Sequence, residues 1–189
     1  MTYKTQHDYV STYTGKKFHF LNPHPDEIDL EDIIHALSLI CRYNGAVKHH
    51  YSVLSHSINV CVYVYENTNC HKQALAALCH DFSEAYITDI PRPIKPYLNN
   101  YMDIEANITK AINDKFGVPE MTDFVHYVDK NIVRAEAEAL FLHTPEWVNE
   151  YDVLTSKQFM FNEVSAEFEK SLAKELFEHI TNAIALEGK

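Results

Sequence analysis

The residues most able to do chemistry sit where an apolar helix face should be. His80-Asp81 directly follows Ala74–Cys79 (ALAALC), one of the most apolar stretches of the chain. A carboxylate beside such a stretch is costly unless it is paired or bound to metal. Glu84 lies four residues after His80 and three after Asp81, which puts all three on one side of a continuous helix. Taken alone, a His-Asp pair is common, and the polar half of an amphipathic helix accounts for it. His56, within Tyr51-Ser52-Val53-Leu54-Ser55-His56-Ser57, falls on a stripe between Val53 and Val60; alone it reads as a satisfied core histidine. Asp129 belongs to the stripe Val125, Asp129, Ile132 or Val133, Glu136 and Leu140. An acid in the middle of an apolar stripe needs a partner, and Lys130 or Arg134 would serve as an ion pair.

Together these positions weigh differently. One His, then His-Asp, then a distant Asp, each on its own helix, form a four-ligand set that converges only in a bundle. His and Asp ligate Zn, Mn, Co or Fe well. Three or four N/O ligands with open positions suit a catalytic ion, whereas a structural zinc site would usually use Cys. Such an ion lowers the pKa of water to roughly 7, and Glu84, one turn from the ligands, can orient that water. Beyond the metal helix, Asp89-Ile90-Pro91-Arg92-Pro93-Ile94-Lys95 sets two cations on a proline-stiffened loop. It reads as a polyphosphate clamp or, about as readily, as a solvated basic loop. His126, three before Asp129, is placed to meet a phosphate, although a surface histidine is the simpler account.

The elements that must position these groups are helices. Thr14-Gly15 between Asp8–Tyr13 and Lys16–Phe20 suggests a short hairpin, within an otherwise irregular segment 1–28. Asp29 caps a first helix carrying Ile33, Ile34, Leu37 and Ile40, which breaks by Asn44-Gly45. Further helices are expected over about Ser52 to Asn67, His71 to Ile87, Asn100 to Phe116, and Thr122 to Leu142. A last one carries Val164, Phe168, Leu172, Leu176, Ile180 and Ile184. The tyrosines, phenylalanines and Trp147 read mainly as packing residues. The expectation is a single all-α domain over 1–189, a bundle of about six main helices with a small N-terminal β-hairpin.

Composition narrows the function. The 189 residues are 46% hydrophobic and 23% charged, ordinary for a globular chain, and no apolar run approaches the ~20 residues of a membrane span. Met1 is followed by Thr2, Tyr3 and Lys4 rather than by a signal-peptide core, which suggests a cytoplasmic protein. Sixteen Lys+Arg against 27 Asp+Glu give a formal charge of −11, without the basic face of a nucleic-acid binder. Four glycines and no Gly-rich loop exclude a P-loop or Rossmann enzyme. Cys41, Cys61, Cys70 and Cys79 form no C-x-x-C pair.

The ordered set His … His-Asp … Asp resembles the HD-domain metal phosphohydrolases. The likeness is closest to the YfbR-like branch of 5′-deoxynucleotidases and the phage dATP triphosphohydrolases called DatZ. It covers about Tyr13 to Arg134. The motifs are Cys41-Arg42-Tyr43-Asn44-Gly45, Tyr51-Ser52-Val53 with Ser55-His56-Ser57, Leu78-Cys79-His80-Asp81-Phe82-Ser83-Glu84-Ala85, Thr88-Asp89-Ile90-Pro91-Arg92-Pro93-Ile94-Lys95, and Val128-Asp129-Lys130.

The resemblance implies His56, His80, Asp81 and Asp129 as ligands of a divalent ion (Zn, Co, Mn or Mg), and Glu84 as the acid/base or water-orienting group. It implies Arg42 on the phosphate and Tyr43 against the deoxyribose, where deoxymononucleotidases of the branch carry Trp. Asp89 would hold the sugar 3′-hydroxyl or, with Glu84, a second metal. Pro93, Arg92, Lys95 and His126 would complete the substrate site. The favoured expectation is hydrolysis of dATP to deoxyadenosine and triphosphate. A 5′-deoxynucleotidase is the close alternative, and a non-catalytic nucleotide sensor on the same scaffold the third. The expected partners are a deoxynucleotide and further copies of the chain, in the cytoplasm (that of the host, if phage-encoded).

Overall fold

Side-chain caps mark where four of the helices begin. Asp29 accepts from the Glu31 N–H, Ser52 from Ser55, Thr122 from Val125 and Ser165 from Phe168. Each cap satisfies one of the amide donors that a helix start leaves open. In this computed structural model, which describes residues 8–188, the helices in chain order are α1 (Leu30–Leu39), α2 (Val53–Thr68), α3 (His71–Cys79), α4 (Glu84–Ile87), α5 (Tyr101–Phe116), α6 (Asp123–Leu140) and α7 (Ala166–Glu187). Short 3-10 turns occupy Pro25–Glu27, Arg42–Gly45, Lys95–Tyr97 and Glu146–Glu150. The chain is an all-α bundle. The leader reading at Met1, Thr2, Tyr3 and Lys4 lies outside the described residues. Among the described residues no helix is long and apolar enough to cross a membrane.

The hairpin is small. β1 (Val10–Ser11) pairs antiparallel with β2 (Lys17–Phe18) in the register Val10 to Phe18. Gly15 turns the chain at φ 86°, a conformation open to glycine. Buried Asp32 of α1 fastens the turn, accepting from the Thr14 amide at 2.6 Å and from its hydroxyl at 2.9 Å.

α2 is the central element and packs against α1, α3, α6 and α7. Its Val60, Cys61 and Val64 are fully buried. Val60 and Val64 each gain about 1.5–3 kcal/mol on burial, more than the few tenths that β-branching costs a helix. At its N-terminus the buried Glu169 of α7 accepts from the Ser52 and Ser55 hydroxyls at 2.7 and 2.6 Å.

One expected element needs correction. The helix expected over His71–Ile87 stops at Cys79 and resumes as the single turn α4. Between them the chain tightens: Phe82 N–H bonds Cys79 O, and Glu84 N–H bonds Asp81 O, both three residues back. The His80 ring takes the Ala77 carbonyl at 2.6 Å, so the side chain competes with the helix ladder where the break occurs. His80 and Asp81 therefore sit on a turn, not on the face of a continuous helix. α7 starts at Ala166, leaving Val164 before its cap, and α6 ends at Leu140, two residues short of the expected end.

Candidate metal centre and its cavities

Three separate elements bring four expected ligands to one point. His56 comes from α2, His80 and Asp81 from the turn after α3, and Asp129 from α6. His56 Nε2 lies 3.2 Å from His80 Nε2, 3.2 Å from Asp129 Oδ1 and 3.6 Å from Asp81 Oδ2. His80 Nε2 lies 3.2 Å from Asp81 Oδ2 and 3.4 Å from Asp129 Oδ1. Four donors about 2.0–2.1 Å from one ion stand about 3.3–3.4 Å apart at the corners of a tetrahedron. His56, His80 and Asp129 match that spacing and their donor chemistry fits a divalent cation; Asp81 Oδ2 lies close to both rings but outside that group of three. Arg134, one of the two cations expected to pair with Asp129, instead pairs with Glu138 and donates to the Tyr151 carbonyl.

Second bonds orient both rings. His56 Nδ1 donates to Glu136 Oε1 at 2.6 Å and His80 Nδ1 to the Ala77 carbonyl, so each ring presents Nε2 to the centre. A metal-ligating histidine is commonly held in this way. Glu136 is a further residue of the candidate site, one that motif and spacing do not single out. It has no exposed surface and also accepts from Tyr43 Oη at 2.5 Å and Tyr51 Oη at 3.0 Å. Its one sequence signal was its place seven residues after Asp129 on the same stripe.

The electrostatics are those of interlocked opposite charges. Burial and the Arg42 charge push His56 down, but Glu136 and Asp129 outweigh them and its pKa stands above the ordinary value. Burial likewise opposes the His80 charge, yet Asp81 and Asp129 hold that ring well above the usual histidine range. Burial would raise Asp81 and Asp129, and the two histidines instead hold both below the usual carboxylate range. Burial also works against Glu136, which Arg42 and His56 bring down to about 2.

Arg42 and Tyr43 sit on a turn in which Tyr43, Asn44 and Gly45 have φ of 56°, 52° and 76°. Left-handed backbone at two non-glycine residues is unusual and is held by the Arg42 N–H bond to Tyr51 O and by the Lys48 N–H bond to Leu140 O. Arg42 stands 3.6 Å from Asp81 and 3.4 Å from Glu136, longer than ordinary hydrogen bonds. Its buried Nε has no hydrogen-bond partner among the described residues, and neither has Glu84 Oε2. Burial, then the charges of Asp81 and Asp89, raise the Glu84 carboxyl to about 10. Burial and Asp81 also raise Asp89, which follows Thr88, a β-branched residue at φ 65°.

Two cavities meet at this centre and share Asp81, Lys95 and Asp129. The first, of about 730 Å³, is also lined by Arg42, Tyr43, Glu84, Asp89, Arg92 and Pro93. The second, of about 840 Å³, takes in His80 and His126. Arg92, Pro93 and His126 are exposed at the rims. Lys95 is not a free cation: its Nζ donates to Glu105 at 3.0 Å and lies 4.0 Å from Glu84. Trp147, read from sequence as a packing residue, is 37% exposed and lines the first cavity.

No protein-family model matches the chain. It is 36% identical over 135 residues to the uncharacterized protein YfdR of Escherichia coli K12, a match covering 71% of this chain and 73% of that protein. The chain belongs to the YfdR family. An uncharacterized protein of Rhodobacter capsulatus is 32% identical over 111 residues, or 56% of this chain; the match spans 57% of the length of that relative. The names of both relatives state no activity.

Proposed function

We propose that the protein is a metal-dependent phosphohydrolase of deoxynucleoside phosphates, acting on dATP to give deoxyadenosine and triphosphate. The observation that carries the reading is the convergence of His56, His80, Asp81 and Asp129 beside a buried arginine and a buried glutamate that each keep an unpartnered polar atom. The HD-phosphohydrolase resemblance supports the same roles.

A divalent ion bound by these four residues supplies charge neutralisation at the phosphoryl group and acidification of water at neutral pH. The chain's own groups do the rest. Arg42, with Nε unpartnered, binds a phosphate oxygen; a charge-assisted bond of this kind contributes about 1.5–3 kcal/mol. Glu84, buried beside Asp81 and Asp89, is placed to pass a proton to the 5′-oxygen as water adds at the α-phosphorus and the bond from that phosphorus to the 5′-oxygen breaks. Tyr43, held by Glu136, forms the wall against the deoxyribose, and Asp89 accepts from the 3′-hydroxyl.

The Glu105 pairing of Lys95 favours a second reading, a 5′-deoxynucleotidase, because a neutralised lysine grips a β- or γ-phosphate less well. One assay separates the two. Deoxy- and ribonucleotide mono-, di- and triphosphates are incubated with Mg, Mn, Co or Zn, and phosphate is resolved from triphosphate. Release of triphosphate from dATP, lost in Glu84→Gln with the fold intact, is the expected result. Cleavage of dAMP with dATP untouched selects the monophosphatase. No turnover of any nucleotide with any of these ions would sink both.

A further inference from the structure

The cavity of about 730 Å³ has two chemically different walls. One is charged and carries Arg42, Glu84 and Asp89 next to the metal ligands. The other carries four aromatic rings, Tyr43, Phe141, Trp147 and Tyr151. These rings form a continuous chain: Tyr43 to Phe141 at 5.2 Å, Phe141 to Trp147 at 6.2 Å and Trp147 to Tyr151 at 6.0 Å, each pair close to perpendicular. By contrast, among the described residues the second cavity has no Phe, Tyr or Trp in its lining, and it carries the acids Glu105, Asp114 and Glu120.

The aromatic wall is fixed in place. The 3-10 turn Glu146–Glu150 is anchored by the buried Val148. Arg134 Nη1 donates to the Tyr151 carbonyl at 3.0 Å, and the Asp152 amide donates to Asn131 Oδ1 at 2.8 Å. Both anchors belong to α6, the helix that carries Asp129. The wall is therefore tied by these bonds to the helix that carries Asp129. Trp147 nevertheless leaves over a third of its surface uncovered, so part of the ring is open to a ligand in the cavity it lines.

A ligand that fills this cavity needs an anion at one end and a flat ring at the other. We propose that Phe141, Trp147 and Tyr151 form a stacking subsite for the heteroaromatic base of a nucleotide whose phosphates lie at Arg42. The subsite rests on the phosphohydrolase reading and adds to it how the substrate is oriented. Aromatic faces hold any base by its π-surface, and the cavity volume lies in the usual range for small-molecule sites.

Trp147 is the sole tryptophan of the chain, so its fluorescence reports on this wall alone. The protein carries Glu84→Gln to block turnover and is titrated in Mg²⁺ with dATP, with inorganic tripolyphosphate and with deoxyribose 5-phosphate. Saturable quenching by dATP and not by the two base-free probes is expected. By calorimetry, Phe141→Ala and, separately, the half-exposed Trp147→Ala should weaken dATP binding roughly five- to 150-fold. Tripolyphosphate affinity should stay unchanged, with circular dichroism confirming the fold. Binding of dATP with unmoved fluorescence and unchanged affinity in both variants would overturn the subsite and leave the phosphohydrolase reading standing. If neither dATP nor tripolyphosphate binds, the phosphohydrolase reading fails and takes the subsite with it.

Discussion

Glu136 links the two halves of the site. One carboxylate holds the His56 ring, the Tyr43 and Tyr51 hydroxyls and, at longer range, the Arg42 guanidinium. Removing it leaves a buried cation and an untethered imidazole. Glu136→Ala should cost about 3–5 kcal/mol, as breaking a buried charge pair does, and should be read by chemical denaturation. Glu136→Gln keeps the shape and should lower metal affinity about 10–100-fold; unchanged affinity by calorimetry would remove the orienting role. The histidines set the sign of a pH effect. Both are raised above the ordinary histidine value, and an ion must displace their protons to bind. Metal affinity should therefore climb with pH through the range where His56 and His80 deprotonate, then level off above it. A titration series in which Mn²⁺ affinity is flat across that range would contradict the ligand assignment.

At the scale of elements, the N-terminus of α2 is fastened by α7. Glu169 is buried, and burial raises its carboxyl despite the Ser55 and Ser52 hydroxyl bonds that pull it back. Those hydroxyls lie one turn and one residue before His56, so the junction fixes where the ligand starts. Glu169→Ala removes two short bonds and leaves buried donors, each worth about 1–3 kcal/mol if unsatisfied. A loss of at least about 2 kcal/mol is expected, which is about 4–8 °C in Tm for a chain of this length; an unchanged melting curve would show that α7 does not hold α2. The break between α3 and α4 is the second decisive element. It turns His80 and Asp81 toward α2 and α6 while Glu84 stays in the first cavity.

Over the whole molecule, the candidate metal ligands are drawn from α2, the α3–α4 turn and α6, with His56 standing 24 residues from His80 and 73 from Asp129 along the chain. An ion that binds only this converged set stabilises the fold by mass action, about 2.7 kcal/mol at a hundredfold excess over its Kd. Mn²⁺ at that level should raise Tm by about 5–10 °C and a chelator should reverse it. Asp129→Ala should show no such shift; an equal shift in that variant would place the ion elsewhere.

The helices, and where several of them begin, follow from the sequence alone, because caps such as Asp29 and Thr122 and the apolar stripes act over a single turn. It also singled out His56, His80, Asp81 and Asp129, since polar residues on apolar faces stand out locally. The helix break at His80 is local too, since the ring takes a carbonyl three residues back, but apolar periodicity does not register that competition. The rest depends on the tertiary fold. The pairing of Lys95 with Glu105, the hub at Glu136 and the exposure of Trp147 all depend on which elements meet. Such meetings are set by how α6 and its following turn pack against α2 and the Arg42 turn, across separations that local spacing does not encode.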